Sequence, residues 1–424
     1  MLLEFRVSNY RSFREEATLS FVASTDKTHE VTNVVETGLP GIKRALRTAV
    51  VYGANASGKT NLLLGLQHMR NIVMDSARLQ PDQSYVSQQF KLDDVSRSRP
   101  TLFEVIALID GIRYQYGFTY SSARIESEWL LVFQSHKAQT WLDREYRDGK
   151  DIIETPSSFL PGPKNAWKEA TREKSLFLSV AVQLNSAKLL PLYNWFKNDV
   201  VVFENGGHVG HDYSTRYIES PEGQQSVADF LSSADIAIRS VTAVKQKGLV
   251  SSFEFDVATG EQKAAHTQTD ILLPRFRHTY GDIAADFELT EESQGTQKLF
   301  ALSGPLFDIL QRGQLLVIDE LDRSLHPLLV RQIVCTFQDP ELNSSNAQLL
   351  FSTHDTSLLD TELFRRDQIW LTEKNADQTS SLVSLVTFSP RKNEALERGY
   401  LSGRYGAIPV LPGRLKTPRK TRQT

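Results

Sequence analysis

The sequence predicts an α/β fold in which a mixed β-sheet is carried by the two ends of the chain and interrupted by an insertion, first β-rich and then helical. Three observations predict it. A short apolar strand, roughly 48–52, runs straight into a glycine-rich turn and then a helix. Apolar positions Leu63, Leu64, Leu66, Met69, Ile72 and Val73 give that helix near-helical spacing. Two further apolar runs, 314–318 and 348–352, read as buried parallel strands, with the helical stretch 328–337 between them in a βαβ arrangement.

Taken in order, the chain opens with period-two alternation at Leu3, Phe5 and Val7, and again at Leu19 and Phe21, which predicts two half-buried strands. Strand composition returns on both sides of Asp110-Gly111, a dipeptide suited to a tight hairpin turn, and again from Trp129 to Phe133. The stretch Thr155 to Lys164 is turn-forming and reads as a linker. From there to about residue 240 the pattern is mainly helical, with Leu176, Leu178, Val180 and Val182 leading one helix and Gln224 to Arg239 forming another. Short strands are expected between Val241 and Leu289. The chain thus divides into an N-terminal head portion (1–90), a β-rich subdomain (91–150), a mainly helical insertion (151–280), a C-terminal head portion (281–411) and a basic tail (412–424), with no internal repeat.

With 424 residues, two or more structural units are expected. Hydrophobic residues make up 40% and charged residues 23%, the balance of a folded globular protein. Lys and Arg total 48 against 51 Asp and Glu, a net charge of -3, which excludes a uniformly cationic binder and leaves room for a local basic groove. The one cysteine, Cys335, sits in an apolar run and is expected to be a buried small hydrophobe, so one chain forms neither a disulfide framework nor a cysteine metal site. No apolar stretch approaches the roughly 18 residues of a membrane helix. The N-terminal apolar run carries charges and does not read as a signal peptide. A soluble cytoplasmic protein is expected.

Gly53-Ala54-Asn55-Ala56-Ser57-Gly58-Lys59-Thr60 fits GxxxxGK[ST] between a strand and a helix, the context that pattern requires. Glycines let backbone N–H groups turn inward around phosphates, aided by the positive end of the following helix, where Asn61 continues the turn. Lys59 would reach the β- and γ-phosphates, and the Thr60 hydroxyl would ligate Mg²⁺. The run 315–318 ends in Asp319 and Glu320: a strand tip places Asp319 near the metal, and Glu320 beside it can polarise an attacking water. His354 follows the later buried strand, where a γ-phosphate sensor would sit. Ser293, Gly295 and Thr296 precede an apolar helix, 299–310. They serve either as its N-cap or as a phosphate-binding turn at a helix N-terminus.

The order of these motifs resembles that of P-loop NTPases with an ABC-type head, in the structural-maintenance (SMC), RecF and OLD branch. It is most similar to the AAA-type ATPases of the abortive-infection group called RloA-like. Asn9-Tyr10-Arg11-Ser12-Phe13, residues 320–327 and residues 403–409 carry the likeness further. The resemblance implies ATP hydrolysis with Mg²⁺ and a head-to-head homodimer holding two ATP molecules in its interface. Each ATP would contact the P-loop of one subunit and Ser293 and Gly295 of the other, with Asp322 near the seam. Gln294 and Thr296 stand where transporters carry glycine and glutamine, which sets the chain apart from them. The glutamine that senses Mg²⁺ and water would be Gln88 or Gln89. The resemblance also implies a separate nuclease-like (Toprim-type) effector in a phage-defence setting, since the insertion shows no nuclease cluster, acidic Toprim pattern or zinc site. A RecF-like repair ATPase clamping DNA is the alternative. A small-molecule kinase fits poorly, because Glu320 and His354 suit water activation.

Two weaker features remain. The stretch 207–212 brings His208, His211 and Asp212 together and reads as a surface loop or a metal site. The tail carries Arg414, Lys416, Arg419, Lys420 and Arg422 with no acid, and reads as a frayed end or a contact for a nucleic-acid backbone.

Overall fold

A computed structural model describes every residue except 81, 87, 157, 204–209, 235, 256–261, 391–393 and 410–424, and gives backbone alone for 249–255 and 262–268. The site is organised by a six-stranded central sheet in the order Val200–Phe203, Leu315–Ile318, Gln348–Ser352, Thr48–Gly53, Ile369–Lys374, Ser380–Ser384. The first five strands are parallel, and the last returns antiparallel as a hairpin. Strands with both faces covered become continuously apolar. The alternation is nonetheless visible in what each residue touches: Ala49, Val51, Leu315, Val317 and Leu350 enter one core, and Val50, Tyr52, Leu316, Ile318, Leu349 and Phe351 enter the other.

The first core is closed by a seven-stranded antiparallel sheet in the order 150–154, 139–147, 125–133, 112–120, 101–109, 2–8, 17–20. The helix Lys59–Asp75 lies between the two sheets, burying Leu62, Leu63, Leu66, Met69, Ile72 and Val73. The second core is closed by the helices Pro221–Ser233, Gln294–Arg312 and Pro327–Gln338. A three-stranded antiparallel sheet, 240–255, 262–280 and 283–288, leads into the second of these helices.

Several elements differ from the sequence reading. The stretch read as mainly helical also supplies the edge strand Val200–Phe203 of the central sheet, paired in parallel with Leu315–Ile318. Four apolar residues in a row show neither a period of two nor one of 3.6, so their β-branched composition was the only signal. The helix expected over 224–239 spans Pro221–Ser233, opened by Ser220, whose side chain accepts from the Gly223 N–H at 3.0 Å. The strands expected to be short run to 16 and 19 residues. Cys335 is exposed: on its helix Ile333, Val334 and Phe337 face inward, and Cys335 falls on the other side. Residues 207–209 of the histidine-bearing loop and the basic tail lie outside the described residues.

Pro305 lies inside the helix Gln294–Arg312, where it has no N–H to donate to Ala301. The Ser214 hydroxyl fills that role, donating to the Ala301 carbonyl at 2.9 Å and accepting from the Gly304 N–H at 3.1 Å. Ser214→Ala leaves a buried carbonyl unsatisfied, so the midpoint of urea unfolding should fall by the equivalent of about 1–3 kcal/mol. An unchanged midpoint would mean that another group takes over the carbonyl.

Candidate functional site

The strand Thr48–Gly53 is buried throughout and delivers the chain at Gly53 into the turn 54–58 and the helix Lys59–Asp75. Two glycines are required by packing. A Cβ on Gly53 would lie 2.4 Å from the Thr372 carbonyl oxygen. Gly58 has φ +116, and a Cβ there would lie 2.5 Å from Ser380 Oγ. Both collisions are with the hairpin 369–384, which braces the turn from behind. Ser380 Oγ donates to Ser57 O at 2.6 Å and bonds Ser12 Oγ at 2.8 Å, while Ser57 Oγ bonds Thr372 Oγ1 at 2.7 Å. Asn61 Nδ2 donates to the same Ser12 hydroxyl at 2.8 Å.

Lys59 is buried, with its ammonium donating to Gly53 O at 2.8 Å and Ala54 O at 3.2 Å. Burial lowers its pKa, against the attraction of Asp319, Glu320 and Asp322. Thr60 Oγ1 donates to Asp319 Oδ2 at 2.8 Å. The other oxygen of Asp319 accepts from Ser352 Oγ at 2.6 Å, and that hydroxyl accepts from the Glu320 N–H at 2.8 Å. One serine at the end of the neighbouring strand therefore sets both acids. Glu320 itself has φ 51, a left-handed conformation that a non-glycine residue keeps only where its surroundings impose it.

His354 follows the C-terminal end of the strand next door, its N–H 3.3 Å from Asp322 Oδ2 and its ring exposed. Burial first, then the charge of Lys59, lower its pKa, so the ring is neutral near pH 7. A cleft of about 430 Å³ is lined by Asn55, Ala56, Ser57, Gly58, Lys59, Thr60 and Asn61 with Ser12, Glu320, His354 and Lys374. Gly53 and Ala54 line an adjoining cleft of about 880 Å³, which shares Asn55, His354 and Lys374.

Ser293 and Gly295 line neither cleft. Ser293 is exposed at the start of its helix, where its Oγ accepts from the Thr296 N–H at 3.1 Å, the geometry of an N-cap. Gln88 and Gln89 part company. Gln88 accepts from Arg11 Nε at 2.9 Å, and Arg11 reaches Asn61 at 3.4 Å. Gln89 is buried, its amide 3.4 Å from Arg99 O.

Four residues in the site carried no sequence signal of their own role: Ser352, Thr372, Ser380 and Lys374. Lys374 shares a strand face with Thr372, two positions before it, and so overlooks the turn. Ser12 stood within a recognised stretch but without a role.

The donor set suits Mg²⁺. Among the described residues no group of three or more His, Cys, Asp or Glu could hold a metal. A cation here would therefore take Thr60, Asp319 and phosphate oxygens, and Mg²⁺ commonly binds through one or two protein oxygens with the rest from substrate and water. Among the same residues no helix is long and apolar enough to cross a membrane.

No curated protein matches the chain at a significant level. Among solved structures, the SMC head domain from Thermotoga maritima is similar at 12% identity, covering 90% of this chain and 98% of that one with a TM-score of 0.40. An SmcHead bound to the C-winged helix domain of ScpA is similar at 12% identity, covering 90% and 97% with a TM-score of 0.39. The protein family described as "AAA domain, putative AbiEii toxin, Type IV TA system" matches residues 49–360, well over half of the 424. The chain belongs to that family of AAA-type P-loop ATPase domains.

Proposed function

We propose that this protein hydrolyses ATP and works as an ATP-gated homodimer in a phage-defence system of the RloA-like kind. The observation that carries the hydrolytic reading is the hydrogen-bonded line from Thr60 through Asp319 and Ser352 to Glu320, whose two ends line one cleft together with Lys59. Backbone N–H groups of 54–60 would surround the phosphates, and the Lys59 ammonium would exchange its carbonyl partners for phosphate oxygens. Mg²⁺, held by Thr60 and Asp319, would neutralise charge on the phosphates. Glu320 would orient the attacking water and take its proton, and the neutral His354 ring would donate to the γ-phosphate.

The dimeric reading is supported by the two residues that stand apart. Ser293 and Gly295 lie at a helix N-terminus, outside the cleft that their own subunit forms. That position suits them to meet the nucleotide of a second copy, with Asp322 near the seam. The defence setting is supported by the family description and by the motif likeness over residues 1–75 and 285–411. On this reading ATP closes the dimer, hydrolysis opens it, and a separate effector such as a Toprim-type nuclease reads the state.

Mixing variants tests the arrangement. Gly295→Asp and Lys59→Ala chains should each be inactive alone and should recover part of the parent phosphate release when combined, because one of the two composite sites is then intact. No recovery at any mixing ratio counts against action across the interface. Absence of phosphate release from the parent with Mg·ATP would remove the hydrolytic reading altogether.

A further inference from the structure

Lys298 lies in the second turn of the helix Gln294–Arg312, one turn beyond Ser293 and Gly295. Its side chain reaches across to the turn that follows the catalytic strand. The ammonium donates to Leu321 O at 3.2 Å and also to Arg323 O. Both acceptors belong to the segment 320–324, which begins and ends in left-handed backbone, Glu320 at φ 51 and Ser324 at φ 62. Hydrogen bonds inside the segment are few: Arg323 N–H to Glu320 O at 3.0 Å and Leu325 N–H to Asp322 O at 3.1 Å. Its outer edge also lies close to the first turn of that helix, because a Cβ on Gly295 would lie 3.3 Å from Ser324 O.

Two unfavourable backbone conformations four positions apart persist only if something outside the turn holds it. On the strand side, Ser352 provides one hold, through the Glu320 and Leu321 N–H groups. Lys298 provides the other, and its hydrogen bonds are charge-assisted and hence stronger than a neutral side chain would make.

We propose that Lys298 is a positioning residue for ATP hydrolysis: it straps the turn bearing Glu320 to the helix start that carries Ser293 and Gly295. The arrangement makes the aim of Glu320 depend on where that helix start sits. If the helix start meets a partner's nucleotide, as proposed above, occupancy of one site is felt at the acid of the other. The proposal rests on the reading of Glu320 as the residue that orients water.

The test uses the full chain with Lys298→Met, Lys298→Arg, Glu320→Gln and the Lys298→Met/Glu320→Gln pair, assayed by single turnover of radiolabelled ATP and by ATP binding. Lys298→Met should lose at least about tenfold in the cleavage rate, the effect expected of a misaimed group. ATP affinity should stay within about twofold of the parent, the sign of a step that leaves ground-state binding alone. Lys298→Arg, which keeps the charge and the donors, should restore most of the rate. In the Glu320→Gln background Lys298→Met should add less than about twofold, because a residue acting through another has nothing left to aim.

A parent-like cleavage rate in Lys298→Met, or losses that multiply in the pair, would overturn the proposal while leaving Glu320 in place. A parent-like rate in Glu320→Gln alone would remove the reading of Glu320 and this proposal with it. Should Lys298→Met fail to fold, Lys298→Gln, neutral but still polar, decides by the same rate and affinity criteria.

Discussion

Glu320→Gln should bind ATP as tightly as the parent and cleave it on the order of a hundredfold more slowly or worse, the scale of losing a general base. The amide keeps the size of the carboxylate and leaves the bond from the residue 320 N–H to Ser352 Oγ untouched, since that bond is made by backbone. Thr60 and Asp319 keep their 2.8 Å contact and with it the proposed hold on Mg²⁺. What is lost is negative charge and basicity at the strand tip. On the dimeric reading proposed above, ATP held uncleaved at both interface sites should make the closed dimer accumulate. Size-exclusion chromatography with Mg·ATP should show a larger species that the parent forms only transiently. Loss of ATP binding would instead make Glu320 a structural residue, and an unchanged rate would make it a solvated acid at a turn.

Lys59→Ala should abolish both binding and turnover. The Lys59 ammonium is buried beneath the turn and already donates to Gly53 O and Ala54 O, so it needs only to redirect its N–H groups to meet incoming phosphates. Alanine removes the one buried cation of the turn and leaves the phosphate charge facing Asp319 and Glu320 without a counterweight. A preorganised donor aimed at developing charge contributes on the order of 10²–10³ in rate, and here ground-state affinity goes with it. Calorimetry should show no ATP binding at concentrations that saturate the parent, while thermal unfolding without nucleotide stays close to the parent's. Hydrolysis near the parent rate would mean that the phosphates bind elsewhere.

The parts of this architecture legible in the sequence are those whose physics is local. The turn 53–60 is contiguous, and so are the Asp319-Glu320 strand tip and the Asp110-Gly111 turn, which joins Thr101–Ile109 to Ile112–Tyr120 with Ile109 opposite Ile112. What was not legible is made through space. Ser352 sets Asp319 and Glu320 from more than 30 positions away, and nothing around it distinguishes it from any serine after an apolar run. Thr372 and Ser380 lie in a polar hairpin whose task is visible only once two glycines are found pressed against it. Cys335 is exposed despite its apolar neighbours because helix phase, not local composition, decides which face it takes. For Ser293 the sequence allowed a cap or a phosphate contact, and the isolated chain shows the cap, with the other use depending on a second copy.

The hairpin behind the P-loop also governs when that loop can work. Ser12 and Ser380 touch although 368 positions separate them, and Thr372 reaches Tyr52 O across 320. During synthesis the motif 53–60 emerges early, but its support emerges only after the central sheet is nearly complete. A partly made or clipped chain therefore carries an intact motif without its brace, and should bind ATP more weakly than the full chain. Once the hairpin is in place, ligand and fold become linked: nucleotide at a hundred times its Kd stabilises the folded state by about 2.7 kcal/mol. Because residues 369–384 brace the turn through Ser57 and its two glycines, nucleotide bound at 53–60 should protect that hairpin as well.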